Sequence, residues 1–167
     1  MWRRRCAAWR AGGADFAAIA ANTPHVAFEE IAREAPIPMI SIVEATREAA
    51  QAHGIRRAGL FGTRFTMQGR FYADRFAAAG MEVIVPTPEE QDYIHERYFA
   101  DLVNGRFPPE TRTRLLAIAD AMIERDGIEA LILGGTELPL LLRDETHHGI
   151  PLLDTTKIHV AKIVERL

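Results

Sequence analysis

The chain has 167 residues, 48% apolar and 26% charged, with a formal net charge of −3. That size and balance describe a globular domain with a real core, and the acidic excess gives no general attraction for nucleic acid. One cysteine, Cys6, excludes an internal disulfide and a cysteine-rich zinc site, and no apolar run is long enough to cross a bilayer.

In chain order, apolar runs alternate with amphipathic stretches. The arginine-rich start, "MWRRRCAAWR", is broken by Arg10 and then Asp15, so it lacks the apolar stretch of a signal peptide, and a cytoplasmic address is expected. Strands are expected at "DFAAIAA" (15–21), "PMISI" (38–42), "RAGLFG" (57–62), "EVIVP" (82–86), "ALILG" (130–134) and "PLLD" (151–154). Helices are expected between them. "PHVAFEEIAREA" places Val26 and Ile31 on one face, and "SIVEATREAAQAHG" and "TMQGRFYADRFAAAG" each end on a glycine suited to a C-cap. Two longer helices, "PEEQDYIHERYFADLVNG" and "PPETRTRLLAIADAMIERDG", flank the turn "NGRFPP", and "TKIHVAKIVERL" closes the chain. Such alternation predicts an α/β fold with mostly parallel strands.

An internal echo organises these elements. "GADFAAIAANTPHVAF…APIPMISIVEATREAA" aligns with "GIEALILGGTELPLLL…HGIPLLDTTKIHVAKI", placing Ala21 opposite Gly135 and Pro38 opposite Pro151. The expected architecture is therefore two pseudo-symmetric lobes with parallel-type sheets flanked by helices. Residues 1–55 plus 151–167 are expected to form the first lobe and 56–150 the second. A ligand in such sheets sits beyond the C-terminal strand ends, between the lobes.

Five strings in order, "AANTPH" (20–25), "LFGTRFTMQGRFY" (60–72), "VNGRF" (103–107), "LGGTELPLLL" (133–142) and "PLLDTT" (151–156), resemble the cofactor-independent aspartate/glutamate racemase family, which includes hydantoin racemases. The resemblance runs from about Gly12 to the end. It implies an isomerase of the amino-acid racemase type, acting on a small carboxylate or dicarboxylate without cofactor or metal. It also implies two cysteines, one per lobe, flanking the substrate α-carbon. Inversion needs an acid and a base on opposite faces, and thiols can be tuned for both roles. Here the two thiol positions are Ala21 and Gly135, so two-thiol racemisation is not expected. Cys6 lies before the first strand with no motif around it. Against the family pattern, the first lobe lacks its usual opening strand–turn–helix and is expected to be truncated. The alternatives are a non-catalytic small-carboxylate-binding or regulatory homologue, or a truncated gene product without independent activity.

Candidate site residues follow the strand ends. Asn22 and Thr23 either contact ligand or cap the next helix, and Thr136 and Glu137 carry the same two readings. Thr63 and Thr66, in "GTRFT", are expected to cradle a carboxylate at a helix start. Arg106 either grips a carboxylate or is a solvated loop residue. With no thiol, the catalytic candidates are His25, which otherwise packs locally, and Glu137. Asp154, Thr155 and Thr156 suit the cap of the closing helix. His147 and His148 are adjacent in a loop, the wrong spacing for one helix face, so no metal site is expected. The spaced glycines of "GLFGTRFTMQG" lack the order of a dinucleotide fingerprint. The expected partner is a small carboxylate or amino acid, with neither nucleic acid nor membrane, and a homodimer would cover a shortened lobe.

Overall fold

A computed structural model describes Trp9 and residues 12–167. Cys6 lies outside the described residues. The larger of two parallel sheets contains β3 (Arg57–Gly62), β4 (Glu82–Ile84), β5 (Ala130–Gly134), β6 (Thr146–His147) and β7 (Ile150–Asp154), in the order β4-β3-β5-β7-β6. All pairings in it are parallel except β6 with β7. The smaller sheet pairs β1 (Ala17–Ala18) with β2 (Met39–Ile40).

The larger sheet is buried on both faces at its centre, where β5 and all of β3 after Arg57 are apolar or glycine, with a period of two deciding the face. Phe61, Leu131 and Leu133 pack with Ile94 and Tyr98 of α5 (Pro88–Ala100) and with Leu115, Ile118 and Met122 of α6 (Pro109–Asp126). Ala58, Leu60, Ala130 and Ile132 pack the opposite way, against Ile42 and Val43 of α2 (Ile42–Ala52) and Tyr72 and Phe76 of α4 (Arg70–Ala77). Each large side chain so buried stabilises the fold by about 1.5–3 kcal/mol.

Local sequence sets the helix boundaries. α5 opens with a capping box: Thr87 accepts from the Glu90 amide while the Glu90 carboxylate accepts from the Thr87 amide, and Pro88 needs no donor. Gly127, at φ +63°, ends α6 in the left-handed conformation. The single helix expected over "TMQGRFYADRFAAAG" is two, α3 (Arg64–Gln68) and α4, because Gly69 is extended between them and a Cβ there would meet the Phe65 carbonyl at 2.7 Å. The first expected helix also divides, into a 3₁₀ turn (Thr23–Ala27) and α1 (Phe28–Glu34). A short helix, α7 (Leu138–Leu141), follows β5.

The lobe boundary differs from the expected one. Residues 151–154 were expected in the first lobe, but β7 pairs with β5 from Leu131↔Leu152 to Leu133↔Asp154 and belongs to the larger sheet. Only α8 (Thr155–Val164) turns back, packing along α2. Leu152 and Leu153 of β7 are buried where they pair with β5, which favours the larger sheet for this strand.

Candidate functional site

The parallel strands deliver their polar residues to one edge. β3 and β5 pair Gly62 with Gly134, and β5 and β7 pair Leu133 with Asp154. Thr63, Gly135 and Thr155 therefore leave the larger sheet side by side. Asn22 and Thr23 reach this edge from the smaller sheet.

Asn22 is the bridge. It is buried, its amide donates to Thr155 Oγ1 at 3.0 Å, and the Tyr72 hydroxyl donates to its Oδ1 at 2.5 Å. The Thr155 hydroxyl in turn donates to the Leu133 carbonyl at 2.9 Å. These bonds hold the strand end that carries Ala21 to the one that carries Gly135. The Asn22 side chain does not cap the turn after it.

Next to the bridge stand three hydroxyls. Thr23 Oγ1 lies 3.1 Å from Thr63 Oγ1 and 3.0 Å from Thr66 Oγ1, and the last two are 3.2 Å apart. Thr66 Cγ2 would be 3.3 Å from a Cβ on Gly134, which places the triangle against the end of β5. Thr63 is also the N-cap of α3, its Oγ1 accepting from the Thr66 amide at 3.3 Å. With that amide engaged and α3 only five residues long, donors here come from hydroxyls more than from a helix end.

The other strand end is filled. A Cβ on Gly135 would meet Tyr98 Cε2 and Oη at 2.6 Å each, so the phenol of α5 occupies the space a side chain at 135 would need. The Tyr98 hydroxyl makes a short hydrogen bond to Glu137 Oε2, and the Thr136 hydroxyl donates to the same oxygen at 2.8 Å. Burial raises the Tyr98 pKa, and the Glu137 bond raises it further, so the phenol stays protonated as a donor. Gly134 is a glycine for another reason: a Cβ there would meet the Phe61 carbonyl oxygen at 2.8 Å on the neighbouring strand.

His25 is enclosed, not presented. Its Nδ1 is 2.8 Å from the Ala21 carbonyl and its Nε2 is 3.1 Å from the Ile42 amide, so the ring is neutral with Nδ1 donating and Nε2 accepting. It stacks on Phe28 with centroids 4.8 Å apart. Desolvation lowers its pKa to about 4, with the charge of His159 contributing. With both nitrogens engaged, His25 has no free atom for proton transfer. Arg106 is exposed and tied to the end of α5, donating to the Ala100 carbonyl and pairing with Asp101 at 3.3 Å.

Asp154 caps α8, accepting from the amides of Thr156 at 2.9 Å and Lys157 at 3.0 Å. Beside it, Thr156 Oγ1 is buried without a hydrogen-bond partner among the described residues. Elsewhere, the two loop histidines set aside for their spacing converge with Asp120 of α6. Sequence spacing missed this because the third group comes from another element.

Tyr98 was also missed, since an aromatic inside an amphipathic helix reads as core. The available signal was the glycine itself: where a motif position loses its side chain inside a packed fold, another group fills the space.

The family model described as Asp/Glu/Hydantoin racemase matches residues 4–163. Among solved structures, an aspartate racemase homologue from Pyrococcus horikoshii is 34% identical with a TM-score of 0.85, over 98% of this chain and 71% of that one. A putative Asp/Glu racemase from Yersinia pestis is 26% identical with a TM-score of 0.88, over 99% of this chain and 71% of that one. A glutamate racemase from Aquifex aeolicus is 28% identical over 87% of this chain, which spans 56% of that enzyme's length. Among the described residues no helix is long and apolar enough to cross a membrane.

Proposed function

Because the chain belongs to the Asp/Glu/hydantoin racemase family, we propose that it holds a small carboxylate or amino acid at the shared strand-end edge and does not racemise it through two thiols. One observation carries this reading: the Tyr98 phenol packs into the space over Gly135, leaving no room there for an acid–base side chain. Ala21, on the other strand end, has no transferable proton either. Inversion by two groups on opposite faces of a carbon therefore has neither of its usual members.

Binding has better support. The Thr23, Thr63 and Thr66 hydroxyls lie within 3.2 Å of one another, and a hydroxyl proton can turn from a neighbouring hydroxyl to a carboxylate, with the half-buried Thr23 the most accessible of the three. Glu137, oriented by Tyr98 and Thr136, supplies the complementary acceptor for an ammonium group. Hydroxyl donors beside one carboxylate suit the two ends of an α-amino acid. No cofactor enters this reading. A homodimer belongs to it, supported by the exposed Phe65, Phe99 and Val103 on α3, α5 and the turn after it, and sedimentation tests it.

Proton NMR in D₂O with aspartate, glutamate and related dicarboxylates tests the function. Saturation transfer to the ligand with its α-proton retained is the expected outcome. Loss of the α-proton signal overturns it. A second reading, an isomerase using Glu137 as base, is favoured by the continuous hydrogen-bond chain from Tyr98 through Glu137 to Thr136. It requires exchange at the α-carbon that disappears in Glu137→Gln.

A further inference from the structure

Asp120 on α6 and His147 and His148 on the β6–β7 hairpin each offer one ligand atom, and these atoms all lie within 4.8 Å of one another. Neighbouring residues in an extended strand point to opposite faces. His148 lies in the turn just past β6, and its φ of +47° is in the left-handed region, the only such non-glycine among the described residues. Its ring is brought edge-on to that of His147, with centroids 4.5 Å apart. Asp120 Oδ1 lies 2.5 Å from His147 Nε2 and 3.5 Å from His148 Nε2. Ligand atoms around a tetrahedral ion with bonds of about 2.0–2.1 Å stand roughly 3.3 Å apart, and the two separations straddle that value.

We propose that Asp120, His147 and His148 form a binding site for a divalent transition-metal ion of the zinc type. Two imidazoles and one carboxylate suit zinc, cobalt, nickel or copper, whereas calcium and magnesium prefer all-oxygen sets. The His147 side chain is 17% exposed, Asp120 41% and His148 67%, so an ion enters from solvent and retains water in its remaining positions. The site lies at the start of β7, while the hydroxyl triangle and Glu137 lie toward its other end, roughly 13 Å along the strand. The ion is therefore no Lewis acid for a ligand there. It clamps a two-residue edge strand to the longest helix of the larger lobe, and binding to the folded state alone stabilises that state.

The test uses the full chain without an affinity tag. Zinc titration by calorimetry and cobalt titration by visible absorption are expected to give one ion per chain, with the intense bands of low-coordinate cobalt. Asp120→Asn, His147→Ala and His148→Ala are each expected to weaken binding by at least about tenfold. Zinc is expected to raise the melting temperature of the native chain and leave that of the triple variant unchanged. If His147→Ala fails to fold, His148→Ala, altering the most exposed ligand, still decides. Equal zinc uptake by native and triple-variant chains overturns the proposal, as does absence of uptake at millimolar zinc. Neither outcome bears on the strand-end reading, which is tested with carboxylates.

Discussion

The two lobes are held by different forces. The larger sheet is buried on both faces by apolar side chains, and its central strand β5 has no exposed residue. The smaller sheet has two paired positions, Ala17↔Met39 and Ala18↔Ile40, and joins the rest through buried polar links. Asn22 bonds Tyr72 and Thr155, His25 bonds the Ile42 amide, and His159 on α8 bonds the Ile40 carbonyl at 3.1 Å. Apolar packing tolerates changes of pH and partner, but a buried hydrogen bond fails when either member changes. The smaller lobe, which supplies Asn22 and Thr23 to the strand-end edge, is the conditional part of the molecule.

The largest expected effect comes from removing the bridge. Asn22→Leu leaves the buried Tyr72 hydroxyl without its acceptor and Thr155 without its donor, and is expected to cost about 3 kcal/mol or more in denaturant unfolding. A cost below about 1 kcal/mol would mean that the lobes are joined by packing, not by Asn22. Acid should come next. The folded pKa of His25, about 4, lies below its unfolded value of 6.5, so the unfolded chain takes up the proton first. Stability from the neutral ring is complete above pH 6.5 and is lost as pH falls through 4, by about 3 kcal/mol. His159 is also lowered by burial and adds in the same direction. Unfolding curves from pH 7 to pH 4, compared between the native chain and His25→Gln, measure this loss. A native chain no more acid-sensitive than the variant would contradict it.

Packing in the larger lobe gives a smaller response. Gly135→Ala forces a methyl group against the Tyr98 ring and is expected to destabilise by about 1–3 kcal/mol. Most of that cost should vanish in a Tyr98→Ala background, as a double-mutant cycle would show. The smallest effect is on the surface. Arg64 pairs with Asp92 at 2.6 Å with both side chains exposed, and Arg64→Ala is expected to change stability by less than about 0.5 kcal/mol.

The same contrast explains what the sequence makes legible. β3 and β5 match the expected 57–62 and 130–134 because each is a short apolar run bounded by a charged or helix-ending residue and a glycine. The expected strands 15–21 and 38–42 shrink to two residues each: the alanine-rich first segment offers little to bury, and the second enters a helix at Ile42, so the pair is registered at two positions only. β6 was not expected because a two-residue antiparallel pairing leaves no periodicity. At the strand ends, the grouping of Thr23 with Thr63 and Thr66 follows from their places after parallel strands. The enclosure of His25, the Tyr98 phenol over Gly135 and the approach of Asp120 to the hairpin depend on elements distant in the chain.

The phenol over Gly135 also ties two positions together. A larger residue at 135 strains against the Tyr98 ring while position 98 is filled, and emptying 98 first opens a void in the core. Either single step passes through a less stable intermediate, so positions 98 and 135 are expected to change together more readily than either alone.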